Sequence, residues 1–259
     1  MKYHKIKLKN NIKGLIIFII IILLWQLVTY LDIWNKYILP SPIRVLETFI
    51  KMLYDGSIFK HVFVSMKRIL IGFAISAFIG IPLGILFGIY DKIYTYFKPL
   101  LNFLRNIPPI SLIPMLILWF GIEEKSKIII IVLASFFPIF MSTLKGIRNC
   151  DPKLIEVGKA FELSKSKIIF KIIIPNAVLD IAVGLKLGLG YSFRAIIGAE
   201  LIAASSGLGY LISDGKEMSR TDIVLVGIIV IGILGILTDH AFSKLVNMTI
   251  KGKGVENYE

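Results

Sequence analysis

Four charged side chains lie within or at the edges of one apolar stretch: Asp180, Lys186, Arg194 and Glu200. On a helix that turns about 100° per residue, all four fall within an arc of roughly 160°. A charged side chain inside a bilayer costs about 2.5 to 3.5 kcal/mol, so this face should contact protein or water rather than lipid. For Lys186 and Arg194 two interpretations stay open, a polar path for a solute and a structural ion pair, whereas Asp180 and Glu200 could be interfacial.

Tyr191 and Ser192 place two hydroxyl groups beside this charged face. The candidate translocation-path residues are therefore Lys186, Tyr191, Ser192, Arg194 and Glu200.

Other kinds of chemistry have little support in the sequence. Cys150 is the single cysteine, and His4, His61 and His240 lie without metal-ligand spacing. The sequence contains no G-x-S-x-G elbow, no H-E-x-x-H and no G-x-x-x-x-G-K-[ST] phosphate loop. We expect no catalytic residue, no metal site and no cofactor bound by this chain, so ATP and magnesium, if used, belong to a partner subunit.

The composition indicates a membrane protein. Of 259 residues, 56% are hydrophobic and 18% charged, which excludes an ordinary cytosolic enzyme. The net charge of +13 could suggest nucleic-acid binding, but basic residues collect in the cytoplasmic loops of membrane proteins, and we expect lipid rather than nucleic acid around this chain.

Hydropathy predicts an all-α polytopic bundle of about six transmembrane helices, forming a single domain over 1–259. The first, over 14–31, is interpreted as a retained anchor, because its apolar run has no cleavage pattern; the core covers 69–242. The crossings are placed at 14–31, 69–89, 99–119, 127–145, 177–199 and 222–242.

The distribution of Lys and Arg predicts the orientation. With the N-terminus inside, the inside segments carry 17 basic residues over 71 positions, against 10 over 67 outside. Both termini are therefore expected to be cytoplasmic in a multi-pass protein of the cell membrane. The outside count includes Lys67 and Arg68, at the mouth of the second crossing.

The second crossing carries a small residue at every fourth position. Such a row lets two helix backbones approach closely, and we interpret it as helix packing without a transport role. The five positions are Gly72, Ser76, Gly80, Gly84 and Gly88.

The longest cytoplasmic loop covers 150–175. Asp151 can cap a helix that begins at Pro152, and Ser164 can cap a second one that runs toward Pro175. Two short amphipathic helices here could form a docking site for another protein or simply lie on lipid headgroups.

Three segments together resemble the binding-protein-dependent ABC transporter permeases, in the nitrate, sulfonate and taurine branch. The segments are Glu156-Val157-Gly158 with Ile172 and Ile174-Pro175; Leu104 to Ile110 with Ile113-Pro114 and Trp119-Phe120-Gly121; and Ala199 to Ile212. The similarity runs from about Pro40 to the last crossing.

The resemblance implies the type I importer architecture and a permease subunit, usually paired as a homodimer. It also implies two cytoplasmic ABC ATPase subunits, an extracytoplasmic solute-binding protein, and a small anionic solute such as nitrate, a sulfonate or taurine. The implied ATPase-coupling positions are Glu156, Val157, Gly158, Glu162, Ser164, Ile172 and Pro175.

Two departures from the family pattern fall in this loop. Val157 and Gly158 replace two alanines, and Glu162 replaces a glycine whose left-handed turn glutamate resists, which puts the angle between the two short helices in question.

Two other function classes remain as alternatives. A secondary transporter or channel working without an ATPase would suit the charged helix equally well. A membrane-embedded enzyme is disfavoured by the missing catalytic motifs.

Overall fold

The computed structural model describes residues 2–250, with side chains described for residues 16–248. This part of the chain is helical and contains no strand. The side chains of the lysine-rich start, 1–13, and of most of the basic tail, 243–259, are outside the described range, so the predicted placement of the termini stays a prediction.

The helices are α1 (Lys2–Tyr30), α2 (Pro42–Tyr54), α3 (Ser57–Ile89), α4 (Asp91–Arg105), α5 (Ile113–Phe120), α6 (Glu124–Arg148), α7 (Pro152–Ala160), α8 (Lys165–Ile168), α9 (Ile174–Ala203), α10 (Leu208–Glu217) and α11 (Thr221–Ile250). A 3-10 turn covers Pro109–Leu112, and a π-helical turn covers Ile169–Ile173.

Among the described residues, four helical segments are long and apolar enough to cross a membrane, and they contain four of the six predicted crossings. The segments are Ser57–Ile89, Glu124–Arg148, Lys165–Ala203 and Thr221–Met248. The predicted anchor over 14–31 falls in α1, where the apolar helix within the described side chains is the shorter Ile16–Tyr30.

The predicted crossing over 99–119 is not one continuous helix. The chain there forms two helices, Asp91–Arg105 and Pro109–Phe120, that meet at 79°. The physical reason is the Pro108-Pro109 pair, because a proline lacks the backbone N–H and disfavours helical geometry in the residue before it. Counted as one broken span, this pair brings the number of spans to five.

The second helix of the long loop is continuous with the next span. Ser164 caps α8, and the chain passes through the π-helical turn directly into α9. Pro175 follows that turn, and the wider turn accommodates a residue that cannot donate its backbone N–H.

The chain divides into two compact units, residues 1–61 with 211–230 and residues 62–210 with 231–259. In the first unit, Ser41 caps α2, and Thr48 donates a 2.8 Å hydrogen bond to buried Asp222. The prediction of one domain over 1–259 stays a prediction.

In the second unit, α6 packs against both α3 and α9. The five small residues of α3 lie against Ile131, Ser135, Ile139, Thr143 and Ile147 of α6. A Cβ added to Gly84 would lie 2.7 Å from Thr143 Cβ, and the hydroxyl of Ser135 donates a 2.7 Å hydrogen bond to that of Ser76. Close backbone approach therefore depends on these residues having little or no side chain.

The opposite contact of α6 uses two glycines of α9. A Cβ on Gly184 would lie 2.7 Å from Ser142 Cβ, and one on Gly188 would lie 2.8 Å from Ile139 Cγ1. Together α3, α6 and α9 surround an apolar core that includes Ile69, Ile131 and Ile196.

Candidate functional site

The charged residues predicted on one face of α9 have different surroundings. Lys186 Nζ lies 3.3 Å from Asp239 Oδ2 and donates a 3.0 Å hydrogen bond to Ser243 Oγ, both on α11. Asp180 is half-buried, and a Cβ on Gly146 of α6 would lie 2.6 Å from its Cβ. For Lys186 the ion-pair alternative therefore has a partner that the sequence did not identify.

Tyr191 and Arg194 form a pair on the exposed side of α9. The Arg194 guanidinium lies 5.3 Å from the centre of the Tyr191 ring, a cation–π distance. A cavity of about 220 Å³ brings Lys186 and Arg194 together with Thr238 and Asp239. A largely apolar cavity with charged groups in its lining is thus present between α9 and α11 beside the ion pair.

Ser192 does not face either of these groups. Its side chain is fully buried and donates a 2.9 Å hydrogen bond to the Gly188 carbonyl one turn earlier in α9. This bond satisfies the hydroxyl within its own helix, as is common for serine at apolar positions. The assignment of Ser192 to a translocation path stays a prediction.

Glu200 lies in a buried network of charge and hydrogen bonds. Arg68 Nη1 donates to its Oε1 at 2.7 Å, and the hydroxyl of Ser65 lies 2.8 Å from both of its carboxylate oxygens. The side chains of Arg68 and Glu200 are 4% and 0% exposed. Burial of an ion pair in a membrane-spanning protein is tolerated only with such complete hydrogen bonding.

The same network fixes the chain after α9. The Gly209 N–H donates a 2.9 Å hydrogen bond to Glu200 Oε2, and Arg68 Nη1 donates to the Ser206 carbonyl at 2.7 Å. Gly207 has φ +117° and lies against the Glu200 carboxylate, where any Cβ would overlap it. The glycine-rich part of the Ala199 to Ile212 segment is therefore held against the Glu200 carboxylate.

Arg68 also reaches the start of α6. Its Nε and Nη2 donate to the two oxygens of Glu124 at 2.7 and 2.5 Å, and that carboxylate is 60% exposed. Lys127 Nζ lies 3.8 Å from the same carboxylate, so two cations balance two anions. Sequence reasoning placed Arg68 at the mouth of a crossing but could not find its partners, which lie 56 and 132 residues away.

A second cavity, the central cavity, lies near the middle of the membrane-spanning helices. It has a volume of about 560 Å³, and most of its lining side chains are apolar. Polar groups are contributed by Arg105, Ser142 and Tyr191. The lining residues are Leu104, Arg105, Ile107, Pro109, Leu112, Leu133, Ala134, Phe136, Phe137, Pro138, Met141, Ser142, Leu187 and Tyr191.

The long loop has both predicted helix caps. The Asp151 carboxylate accepts from the Lys153 N–H at 2.9 Å, and the Ser164 hydroxyl accepts from the Lys167 N–H at 3.5 Å. The prediction of two capped helix starts is confirmed.

Two faces of α7 have opposite roles in packing. Gly158 is buried, and a Cβ there would lie 2.6 Å from Ile172 Cδ1, so it lets α7 lie close to the π-helical turn. Leu154, Val157 and Phe161 form an outer stripe with side chains 43%, 52% and 76% exposed. Of the predicted coupling positions, Gly158 and Ile172 contribute to the packing of the loop, whereas Val157 lies on its open face.

Glu162 adopts the left-handed backbone that its family counterpart, glycine, would take. Its φ is +53°, its N–H donates to the Lys159 carbonyl at 2.9 Å, and the Leu163 N–H donates to the Gly158 carbonyl at 3.0 Å. This pair of bonds is the Schellman arrangement that closes a helix C-terminus. The departure at Glu162 therefore leaves the turn between the two short helices in left-handed geometry.

A crevice of about 730 Å³ lies beneath the loop. Arg148 is paired with Asp91 and lies 4.1 Å from the centre of the Tyr94 ring. The lone cysteine, Cys150, lines this crevice, and burial followed by the nearby Asp151 charge raises the pKa of its thiol. A raised pKa keeps the thiol protonated and unreactive near neutral pH.

The known proteins to which this chain is similar are components of transport systems. A model of the family described as binding-protein-dependent transport system inner membrane component matches residues 80–247. The chain is 38% identical over 227 residues to SsuC of Bacillus subtilis (strain 168), whose name describes an aliphatic sulfonates transport permease protein; the match covers 88% of this chain and 82% of SsuC.

Two further relatives have related names. Identity is 32% over 225 residues with the taurine transport system permease protein TauC of Escherichia coli (strain K12), covering 85% of this chain and 82% of TauC. It is 30% over 240 residues with the nitrate import permease protein NrtB of Synechocystis sp., covering 89% and 86%.

The fold is similar to that of a solved transporter. An inward-facing conformation of the MetNI methionine ABC transporter matches with a TM-score of 0.66 at 17% identity, over 76% of this chain and 97% of that chain.

Proposed function

The chain belongs to the binding-protein-dependent transport system inner membrane components. From this premise we propose that it conducts a small anion through the membrane when a partner ATPase, bound at the loop over 150–175, hydrolyses ATP. It is the permease subunit of an ABC importer, a multi-pass membrane protein and not an enzyme, and such permeases work with ATPase subunits and a solute-binding protein.

The observation that carries the coupling proposal is the outer stripe of α7. Leu154, Val157 and Phe161 expose apolar surface on a short helix whose inner face is packed and whose ends are both closed by hydrogen bonds. A rigid helix with an exposed apolar face is suited to a groove in another protein. We assign the exposed residues Glu156, Val157 and Phe161 to contact with the ATPase. Glu162, Ser164 and Pro175 are assigned to the geometry of the loop.

The proposed solute is an anion of the nitrate, sulfonate or taurine class. The names of the relatives support this class, and so do the cationic groups Arg105 and Arg194, one at each cavity. Tyr191 lines the central cavity. Ser192 and Glu200 stabilise α9 instead, Ser192 through its bond to the Gly188 carbonyl and Glu200 through its bonds to Arg68 and Gly209.

We further propose that the chain forms a homodimer in the cell membrane with both termini cytoplasmic. ATP and magnesium are bound by the ATPase, and this chain binds no cofactor.

Reconstitution tests the proposal directly. Proteoliposomes containing the permease, its ATPase and its binding protein should take up taurine, an alkyl sulfonate or nitrate only when ATP and all components are present. Uptake by the permease alone, driven by an ion gradient, would establish a secondary transporter instead.

A variant of the stripe tests the coupling contact. Phe161→Ala should weaken co-purification of the ATPase at least about tenfold, because exposed aromatic anchors dominate protein contacts. Tyr54→Ala removes an aromatic side chain of α2 that is even more exposed than Phe161, and it should leave co-purification unchanged. Full ATPase binding by Phe161→Ala would assign the ATPase contact to another surface.

A further inference from the structure

We infer that the central cavity binds an organic anion with a short apolar chain, such as an alkyl sulfonate, and that Arg105 holds the anionic group. The inference rests on the proposed function, since it narrows the solute class of the same transport path.

The position of the central cavity suits a solute site. Its lining residues on α6, 133–142, lie near the middle of the Glu124–Arg148 span, and Leu187 and Tyr191 lie near the middle of the Lys165–Ala203 span. Sites for transported solutes are typical of this depth, where neither side of the membrane has direct access.

The broken span gives a second, independent reason. Non-helical backbone at membrane depth is tolerated only where it is buried in protein or lines a cavity. The C-terminal end of α4 contributes Leu104 and Arg105 to the lining, and the segment between α4 and α5 contributes Ile107 and Pro109. A discontinuous helix at a cavity is the arrangement that many transporters use to form their binding site.

The cationic group of the central cavity is available to a ligand. Within the described part of the chain, no carboxylate pairs with Arg105, whereas Arg68, Arg148, Lys186 and Arg220 all have one. A guanidinium presents its donors in a planar fork that matches the oxygens of a sulfonate or carboxylate. Arg105 is therefore assigned as the anion contact, and α9 contributes the Tyr191 hydroxyl to the same lining.

The walls of the central cavity distinguish between anions. Phe136, Phe137, Leu133 and Met141 offer no hydrogen bonds to replace the hydration shell of a nitrate ion. A volume of about 560 Å³ also exceeds what nitrate can fill, and falls in the range of sites for larger organic ligands. An alkyl chain would bury its methylenes against these walls, and each added methylene should tighten binding about three- to fourfold.

Protection of an introduced thiol tests the inference. The chain has one cysteine, so Cys150→Ser gives a background in which Phe137→Cys places a single thiol on the cavity wall. The purified complex of permease and ATPase is treated with a methanethiosulfonate reagent in the presence of ethanesulfonate, butanesulfonate, hexanesulfonate, nitrate or hexanol. Met141→Cys, on the adjoining turn, repeats the measurement where Phe137→Cys does not fold.

Hexanesulfonate should protect the thiol at concentrations about 100-fold lower than ethanesulfonate, from four added methylenes. Nitrate should protect more weakly than either sulfonate, and hexanol at least about tenfold more weakly than hexanesulfonate. Arg105→Gln should reduce the preference for hexanesulfonate over hexanol at least tenfold. Lys98→Gln, which removes an exposed cation from the same helix, should leave that preference unchanged.

Three outcomes would overturn the inference: equal protection by hexanol, equal protection by nitrate, or spontaneous cross-linking of the thiol to a second permease copy, which would make the cavity a dimer contact. ATP-driven uptake is measured separately with the binding protein present. Uptake without thiol protection defeats this inference alone, whereas absence of uptake for every anion tested defeats the proposed function.

Discussion

Removing Arg68 should destabilise the protein more than neutralising its partner Glu200. In Arg68→Met, the Glu200 carboxylate stays fully buried and keeps only neutral donors, the Ser65 hydroxyl and the Gly209 N–H. In Glu200→Gln, Arg68 keeps both bonds to Glu124 and its bond to the Ser206 carbonyl. The two single variants therefore leave different amounts of uncompensated charge.

The magnitudes follow from burial. Leaving a buried charge without its counterion costs about 3 to 5 kcal/mol, which we expect for Arg68→Met. Losing one charge-assisted hydrogen bond while the guanidinium stays paired costs about 1.5 to 3 kcal/mol, which we expect for Glu200→Gln. The double variant Arg68→Met/Glu200→Gln removes the stranded carboxylate, so it should be more stable than Arg68→Met alone.

The free energy of unfolding can be measured in dodecyl maltoside micelles titrated with SDS and followed by tryptophan fluorescence. Lys36→Met serves as the control, because its ion pair with Asp32 is 69% and 65% exposed and should contribute nothing measurable. A double variant as unstable as the two single losses added together, or an Arg68→Met protein as stable as the wild type, would refute this account of the network.

Two further predictions concern backbone geometry. Gly84→Ala should destabilise the protein by about 1 to 3 kcal/mol, because the new Cβ would lie 2.7 Å from Thr143 Cβ. Gly232→Ala, whose new Cβ would have no atom within 4 Å, should be neutral or slightly stabilising. Thermal unfolding in detergent compares the two variants, and equal effects would contradict the packing of α3 on α6. Glu162→Gly should raise the free energy of unfolding by about 1 kcal/mol, since glycine adopts the left-handed backbone of this turn without strain. Glu162→Ala, which keeps a Cβ, should give no gain. Equal stability of the two variants in the same assay would show that this turn is not strained.

Much of the local structure was predictable from neighbouring residues. Asp151 and Ser164 cap their helices because a side-chain oxygen reaches an N–H only two or three residues ahead. The Pro108-Pro109 pair was a visible signal for the broken span, but a hydropathy average over 99–119 concealed it, because apolar residues continue on both sides of the break.

The sequence by itself determined that this chain spans a membrane as helices, since a long apolar run has no other way to satisfy its backbone in lipid. It also determined the family, through motifs that are contiguous along the chain. Only the tertiary structure decided that Glu200 pairs with Arg68, that Lys186 pairs with Asp239, and that Arg105 faces a cavity. The partners in these contacts come from different helices, and helical periodicity specifies the face on which a residue lies but not which helix packs against it.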